Sequence, residues 1–340
     1  MTSSRRNFLR GISTGAAALS AGASTALATN EPEASCRGSL RADEILDLFE
    51  PVTGRKGIKI WAPATASRAE FLATRHPHRM RFCASAFKGF VLCEALRQKD
   101  SPTVDQSLRT EQLVLDESVW SSDSESFNPP YLSGKVSELT ALEAMIIHSD
   151  NTGADMILKH VGADHVRQFI ADAGLAQTRI PNSTRQFLGY LAGVPYWRTI
   201  TWQQMLDILD SNAPFPIPAL NDVQTMASSP DDFVSFYSRS LQGEFFKHIE
   251  TLNEYRAILS RSDAIAQSIP LGASAFLKGG SADVGSFHAL CLAGGMYVSD
   301  RWVYFALMLN WESPDPTDPE TRAAFTSALM KAFELIKQGV

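Results

Sequence analysis

Apolar and polar positions change period along the chain, and each change marks an element. Leu40 to Phe49 predicts a first helix, and the short runs Ile58-Lys59-Ile60-Trp61 and Ala69-Glu70-Phe71-Leu72-Ala73 predict two strands, with Pro-containing turns after each. From Phe82 to Leu96 the chain is apolar nearly all round, with charge only at Lys88 and Glu94, the composition of a buried helix. Thr140-Ala141-Leu142-Glu143 has the form of a capping box, and the helix it predicts stops at Ser149-Asp150-Asn151. Another helix follows through Met156, Ile157 and Leu158. Further helices fill residues 163–265, one opening at Ser229-Pro230. Three strands then come close together, Ala275–Lys278, Phe287–Val298 and Arg301–Asn310, the last two separated by Ser299-Asp300. A terminal helix after Asp318-Pro319 carries Phe325, Leu329, Phe333 and Ile336 on one face.

Two strands at the start, three at the end and helices between predict one mainly antiparallel five-stranded sheet flanked by helices, an α/β (α+β) fold. The expected sheet lobe spans about 40–84 and 268–340, and an inserted all-helical lobe about 85–267, within one domain from 29 to 340.

Residues 1–28 are set apart. Ser4-Arg5-Arg6-Asn7-Phe8-Leu9-Arg10 precedes a weakly apolar run from Gly11 to Leu27, and Ala26-Leu27-Ala28 supplies a small-x-small cleavage pattern. The paired arginines resemble a twin-arginine export signal, which implies a periplasmic or secreted protein beginning near Thr29. Removing its three arginines takes the formal charge from −6 to −9. The remaining basic residues are scattered, which argues against a nucleic-acid surface, and no other stretch predicts a membrane span. Cys36, Cys83, Cys93 and Cys291 form no Cys-x-x-Cys and complete no zinc spacing, and His76-Pro77-His78 reads as a turn. No metal or cofactor is expected. The oxidising compartment permits disulfides, the pairing stays open, and buried free thiols are the alternative.

Three motifs carry candidate chemistry. Among ten lysines only Lys88 has a serine three residues before it, Ser85, and helical spacing puts the two within reach of each other. An amine in so apolar a helix loses solvation, which lowers its pKa and lets it accept a proton from a hydroxyl. Ser149-Asp150-Asn151 forms a corner between two helices: its hydroxyl suits a proton relay and its amide suits holding a substrate amide, although all three residues also suit plain capping. Lys278-Gly279-Gly280-Ser281 ends a strand, where glycines let a substrate approach the backbone and a lysine can meet a carboxylate. A glycine turn with a solvent-facing lysine is the alternative.

In this order and setting the three motifs resemble those of class A β-lactamases and penicillin-binding proteins, from about residue 45 to the last helix. The resemblance implies a serine hydrolase acting through an acyl-enzyme, with Ser85 attacking, Lys88 taking or relaying its proton and Ser149 passing a proton to the leaving nitrogen. It further implies that Asn151 orients the substrate, that Lys278 provides positive charge, and that the Ser85 and Ser281 amides beside Gly280 form an oxyanion hole. Two departures stand out. The third motif has Gly279 where a hydroxyl residue is usual, and no carboxylate lies between Asp172 and Asp207, where class A enzymes carry the deacylating glutamate. Ser183 or Thr184 could position water there but could not act as a base near neutral pH. A monomeric enzyme turning over a small-molecule β-lactam, ester or peptide, slowly on β-lactams, is the expectation. A peptidoglycan D,D-peptidase and a sensor that stays acylated are the alternatives.

Overall fold

The computed structural model describes residues 40–211 and 213–339; the leader read at 1–28 and Cys36 lie outside the described residues. In chain order α1 (Leu40–Asp47), β1 (Arg55–Ala62), β2 (Phe71–Arg75) and the two-residue β3 (Arg81–Phe82) precede a 3-10 turn, Ala84–Phe87, which runs directly into α2 (Lys88–Gln98). Next come α3 (Val104–Thr110), β4 (Gln112–Leu115), β5 (Gly134–Ser137), α4 (Glu138–Ile147), α5 (Asn151–Val161) and α6 (Ala163–Asp172). After α7 (Thr184–Leu191) and α8 (Trp202–Asp210) follow β6 (Ala227–Ser228), α9 (Pro230–Ser240), α10 (Ile249–Leu259) and α11 (Ala264–Ser268). The chain closes with β7 (Ser274–Val284), β8 (Phe287–Val298), β9 (Arg301–Glu312) and α12 (Pro319–Gly339).

The main sheet has the order β2-β1-β9-β8-β7 and is antiparallel throughout, the five-stranded arrangement expected from the pattern. Both its faces are covered, which is why β8 and β9 read as continuous apolar runs rather than alternating ones. Leu290 and Leu292 pack in one core with Phe325, Leu329, Phe333 and Ile336 of α12. Ala289, Cys291 and Ala293 point the other way, into a larger core that includes α2. Phe333 lies 4.7 Å from the Phe305 ring, and Phe90 of α2 lies 5.2 Å from Phe233 and 4.5 Å from Phe236 of α9. Truncating one such ring to alanine costs about 3–5 kcal/mol. The two-residue hairpin Ser299-Asp300 has positive φ at both positions, 49° and 61°, the twist that a tight antiparallel turn needs.

Local details differ from the sequence expectation. The run from Phe82 is not one helix: Ala84 has φ 46°, so regular α-helix begins only at Lys88. The cap of α4 is Ser137, whose hydroxyl accepts from Thr140 N at 3.1 Å, because β5 delivers the chain three residues before Thr140. Lys278-Gly279-Gly280-Ser281 lies within β7, which continues to Val284, and is not a turn. Two small ladders, β3–β6 and β4–β5, are too short to leave a period in the sequence. Among the described residues no helix is long and apolar enough to cross a membrane.

Candidate active site

Ser85 sits in the 3-10 turn that α2 continues, and the turn is fastened on three sides. Asn310 of β9 accepts from Phe82 N and donates to Phe82 O, each at 2.9 Å. Cys83 N donates to Met226 O at 2.8 Å, beside the β3–β6 pair Phe82↔Ala227. From β7 comes Gly280: a Cβ there would stand 2.9 Å from Ser85 N and 2.7 Å from Ala86 N, and closer still to the Cys83 carbonyl. Only a residue without a side chain lets the strand approach the Ser85 amide this closely. The left-handed backbone at Ala84, immediately before Ser85, costs roughly 1–3 kcal/mol and is held by these contacts.

Lys88, the first residue of α2, has no exposed surface. Its Nζ donates to the Ser149 carbonyl at 2.5 Å and to Asn151 Oδ1 at 2.7 Å, with Ser149 Oγ and the Asp150 carbonyl each at 3.4 Å. It makes no hydrogen bond to Ser85, so the pair joined by spacing is not joined by contact in this state. Burial pulls the Lys88 amine down to about 8, against the opposing pull of Asp150, Asp155 and Asp123. A neutral amine has two hydrogens and one lone pair. With the two hydrogens on Ser149 O and Asn151 Oδ1, the lone pair is left to accept a proton.

The corner that supplies these acceptors is itself braced. Ser149 adopts φ 59°, and Asp150 caps α5 through Gly153 N at 2.8 Å while also accepting from Ser126 N and Phe127 N. Burial raises the Asp150 carboxyl above its usual range, although the three amides and Lys88 oppose that shift. Asn151 Nδ2 donates to Ser122 O at 3.0 Å, which fixes the amide so that its oxygen faces Lys88.

Lys278 is buried rather than solvent-facing, with Nζ on the Gly279 carbonyl at 2.8 Å; burial first, then the nearby Lys88 charge, holds its amine well below the ordinary lysine range. Ser281 is buried beside it on β7. The remaining pair is engaged elsewhere: Ser183 Oγ caps α7 through Gln186 N at 3.0 Å, and Thr184 Oγ lies 2.8 Å from Asp155 Oδ1 and 2.8 Å from Ser121 Oγ. Among the described residues no three side chains are grouped to hold a metal ion. Sequence reasoning missed Asn310 and Asp155. Asn310 interrupts the apolar run of β9, which was the available signal, whereas Asp155 shares α5 with Asn151, Thr152 and Lys159 and left none.

A two-ended antiparallel sheet with helices inserted between its strands, and a buried Ser–Lys pair where the first long inserted helix begins, is the β-lactamase/transpeptidase-like architecture. The model of the beta-lactamase enzyme family matches residues 41–333, and the chain belongs to that family. Among solved structures it is similar to a class A β-lactamase from Bacteroides cellulosilyticus DSM 14838 (17% identity, TM-score 0.66, covering 88% of this chain and 97% of that one). It is also similar to a class A β-lactamase from Mycobacterium abscessus (17%, 0.64, 88% and 100%). A third is an acyl-enzyme complex of a PBP-A variant with penicillin G (18%, 0.62, 88% and 95%). At these identities the likeness is one of fold. No curated protein sequence matches the chain.

Proposed function

We propose that the protein is an exported serine hydrolase in which Ser85 is acylated by a β-lactam, ester or amide and then released by water. Lys88, as the neutral amine, takes the Ser85 proton as Oγ bonds to the substrate carbonyl carbon. The Ser85 amide and the Ser281 amide, which follows Gly280 along β7, hold the oxyanion. The carbon–nitrogen or carbon–oxygen bond then breaks. For an amine leaving group, the proton passes from Lys88 through Ser149 to the departing nitrogen. Asn151 orients the substrate amide, and Lys278 meets the substrate carboxylate, whose negative charge favours the protonated amine against the burial that disfavours it. The observation that carries this reading is the Lys88 amine, buried and held by Ser149 and Asn151 on the same turn that Gly280 packs against.

Export by the twin-arginine route belongs to the same proposal and rests on Arg5, Arg6 and the run after them. Replacing both arginines by lysine should trap the protein in the cytoplasm, and normal periplasmic yield would remove that part of the proposal.

A second reading, a D,D-peptidase of peptidoglycan, is favoured by the segment leading into α7, where Pro181, Asn182, Ser183 and Thr184 offer no carboxylate. Intact-mass spectrometry of the mature protein with a fluorescent penicillin tests the acylation common to both. Wild type should gain one acyl group on Ser85, and Ser85→Ala, still folded, should gain none. Full labelling of Ser85→Ala would overturn the reading.

A further inference from the structure

Between α6, the segment that follows it and the segment that leads into β6 lies a cavity of about 350 Å³, and none of the site residues described above lines it. Small-molecule pockets occupy roughly 300–1,000 Å³. Ile170, Leu175 and Ile180, all buried, and the exposed Val223 give it an apolar lining.

Three charged side chains also line it, and two of them are uncommitted. Arg167 pairs with Asp164 through Nη1, and its Nη2 donates to the Ile180 carbonyl at 3.3 Å and to Asn182 Oδ1, so it braces the wall. Arg179 donates only through Nη1, to the Ala176 and Thr178 carbonyls at 2.8 Å each. Its Nε–Nη2 edge, the pair of N–H groups that matches a carboxylate bidentately, has no acceptor among the described residues. Asp222 makes no hydrogen bond or ion pair among the described residues, with Arg179 or with any other group. The Thr178 and Thr225 hydroxyls are engaged, by Asp232 and by the Ala219 carbonyl, each at 2.8 Å. One guanidinium edge and one carboxylate are therefore the side-chain polar groups left for a ligand.

The walls are fixed beforehand. Asn221 Oδ1 accepts from Val223 N at 2.9 Å and Gln224 N at 2.8 Å, which holds the turn that carries Asp222, and Gln224 Oε1 accepts from Asn182 N at 2.9 Å. A site built this way loses no binding energy to ordering itself. One wall also holds the Ser85 turn. Thr225 lines the cavity, the carbonyl of the next residue, Met226, accepts from Cys83 N at 2.8 Å, and Ala227 pairs with Phe82. Ala227 further bonds the opposite wall, donating to Arg179 O at 3.0 Å and accepting from Arg179 N at 2.8 Å.

We propose that this cavity is an effector site for a small zwitterion with an apolar side chain, such as a free amino acid. Its carboxylate meets Arg179, its ammonium meets Asp222, its side chain covers the apolar lining, and its occupancy is felt at the Ser85 turn through Met226 and Ala227. A carboxylate alone would bring its charge toward Asp222 with nothing to offset it, an amine alone would do the same toward Arg179, and an uncharged ligand would strip water from both. The assignment is independent of the acyl-transfer reading.

The test uses L-leucine, 4-methylpentanoate and 3-methylbutylamine, which share one side chain and carry both charges, the carboxylate alone and the ammonium alone. Each is titrated into the wild-type protein while the amide NMR signals of Ala176, Arg179, Val223 and Thr225 are followed. Leucine should shift them saturably, with a dissociation constant in about the millimolar range because exposed ion pairs contribute little, and the other two should bind about threefold more weakly or worse. Arg179→Gln and Asp222→Asn, both at exposed positions, should each weaken leucine to the same degree. At five times the dissociation constant, openings that part the two walls and release leucine become about sixfold rarer. The Arg179, Ala227 and Cys83 amides should then exchange about twofold more slowly or better. No saturable shift with leucine overturns the site. Equal binding of 4-methylpentanoate or 3-methylbutylamine, or undiminished binding in either variant, overturns the zwitterion. Unchanged exchange at Cys83 overturns the link to the Ser85 turn. Both readouts work on a protein that is never acylated, so the proposal stands or falls apart from the acyl-transfer reading.

Discussion

Asn151 Oδ1 accepts from Lys88 Nζ at 2.7 Å, while the other end of the same amide donates to Ser122 O. An asparagine held at both ends cannot turn, so its oxygen remains a fixed acceptor for a lysine that has lost its water. With the Ser149 carbonyl as second acceptor, both hydrogens of a neutral amine are committed and its lone pair is directed to whatever occupies the remaining side. In the proposed acyl transfer, Lys88 as the base would be prepared before a substrate arrives, an arrangement that costs no reorganisation at the moment of reaction.

Acylation should follow the neutral form of Lys88. With the amine near 8, about one tenth is neutral at pH 7, so the rate of Ser85 labelling should rise about tenfold per pH unit below pH 7, about fivefold from pH 7 to 8, and level off above pH 9. The same shift affects stability. Between pH 8 and 10.5 the unfolded chain keeps the lysine proton that the folded one has released, so this group makes stability rise with pH in that window. Lys88→Met should abolish the pH-dependent limb and slow labelling by about two to four orders of magnitude. Stopped-flow labelling across pH 6–9 checks this, and a flat wild-type profile would contradict it.

Deacylation should be slow on β-lactams. No carboxylate lies between Asp172 and Asp207, and the hydroxyls of Ser183 and Thr184 are engaged by Gln186 and Asp155. Without a general base, turnover should lag an efficient β-lactamase by about two to four orders of magnitude. Product should appear as a burst and then a slow steady rate, with acyl-Ser85 visible by mass. Fast linear hydrolysis of benzylpenicillin with no trapped intermediate would mean that another group supplies the base.

Gly280→Ala should damage both fold and site, because its methyl would press on the Ser85 and Ala86 amides. Overpacking of this kind costs about 1–3 kcal/mol, and moving the Ser85 amide by a fraction of an ångström should slow labelling at least about tenfold. Urea denaturation and labelling rate measure the two effects. Wild-type values in both would show that the strand does not approach the turn so closely.

Cys83, Cys93 and Cys291 are free and buried, and burial pushes all three thiols above their ordinary range. A disulfide-exchange reagent should leave them untouched in the folded protein and titrate all three in denaturant. Rapid reaction of any one of them under native conditions would show that the α2–β8 core opens.

What the sequence determined by itself was local. The strand runs of β8 and β9, the apolar face of α12 and the Ser299-Asp300 turn follow from composition and period within a dozen residues, and the structure has them where the pattern put them. The Ser85–Lys88 spacing and the corner at Ser149-Asp150-Asn151 were legible for the same reason. Where cap and helix start compete over two or three residues, at Ser137 and at Ala84, neighbouring strands and turns decided, and the sequence reading was displaced accordingly. The site was decided only by tertiary structure. Lys88 meets Ser149 across 61 residues, Asn310 reaches Phe82 across 228, and Gly280 closes on Ser85 from the opposite end of the chain. Contacts between distant residues have no period to read: they arise when both faces of the sheet are buried and the helices between its strands are forced to pack where those faces leave room. Asp155 shows the limit most clearly. In sequence it is one carboxylate on a helix of mixed residues; only the packing of α7 against α5 gives it three donors.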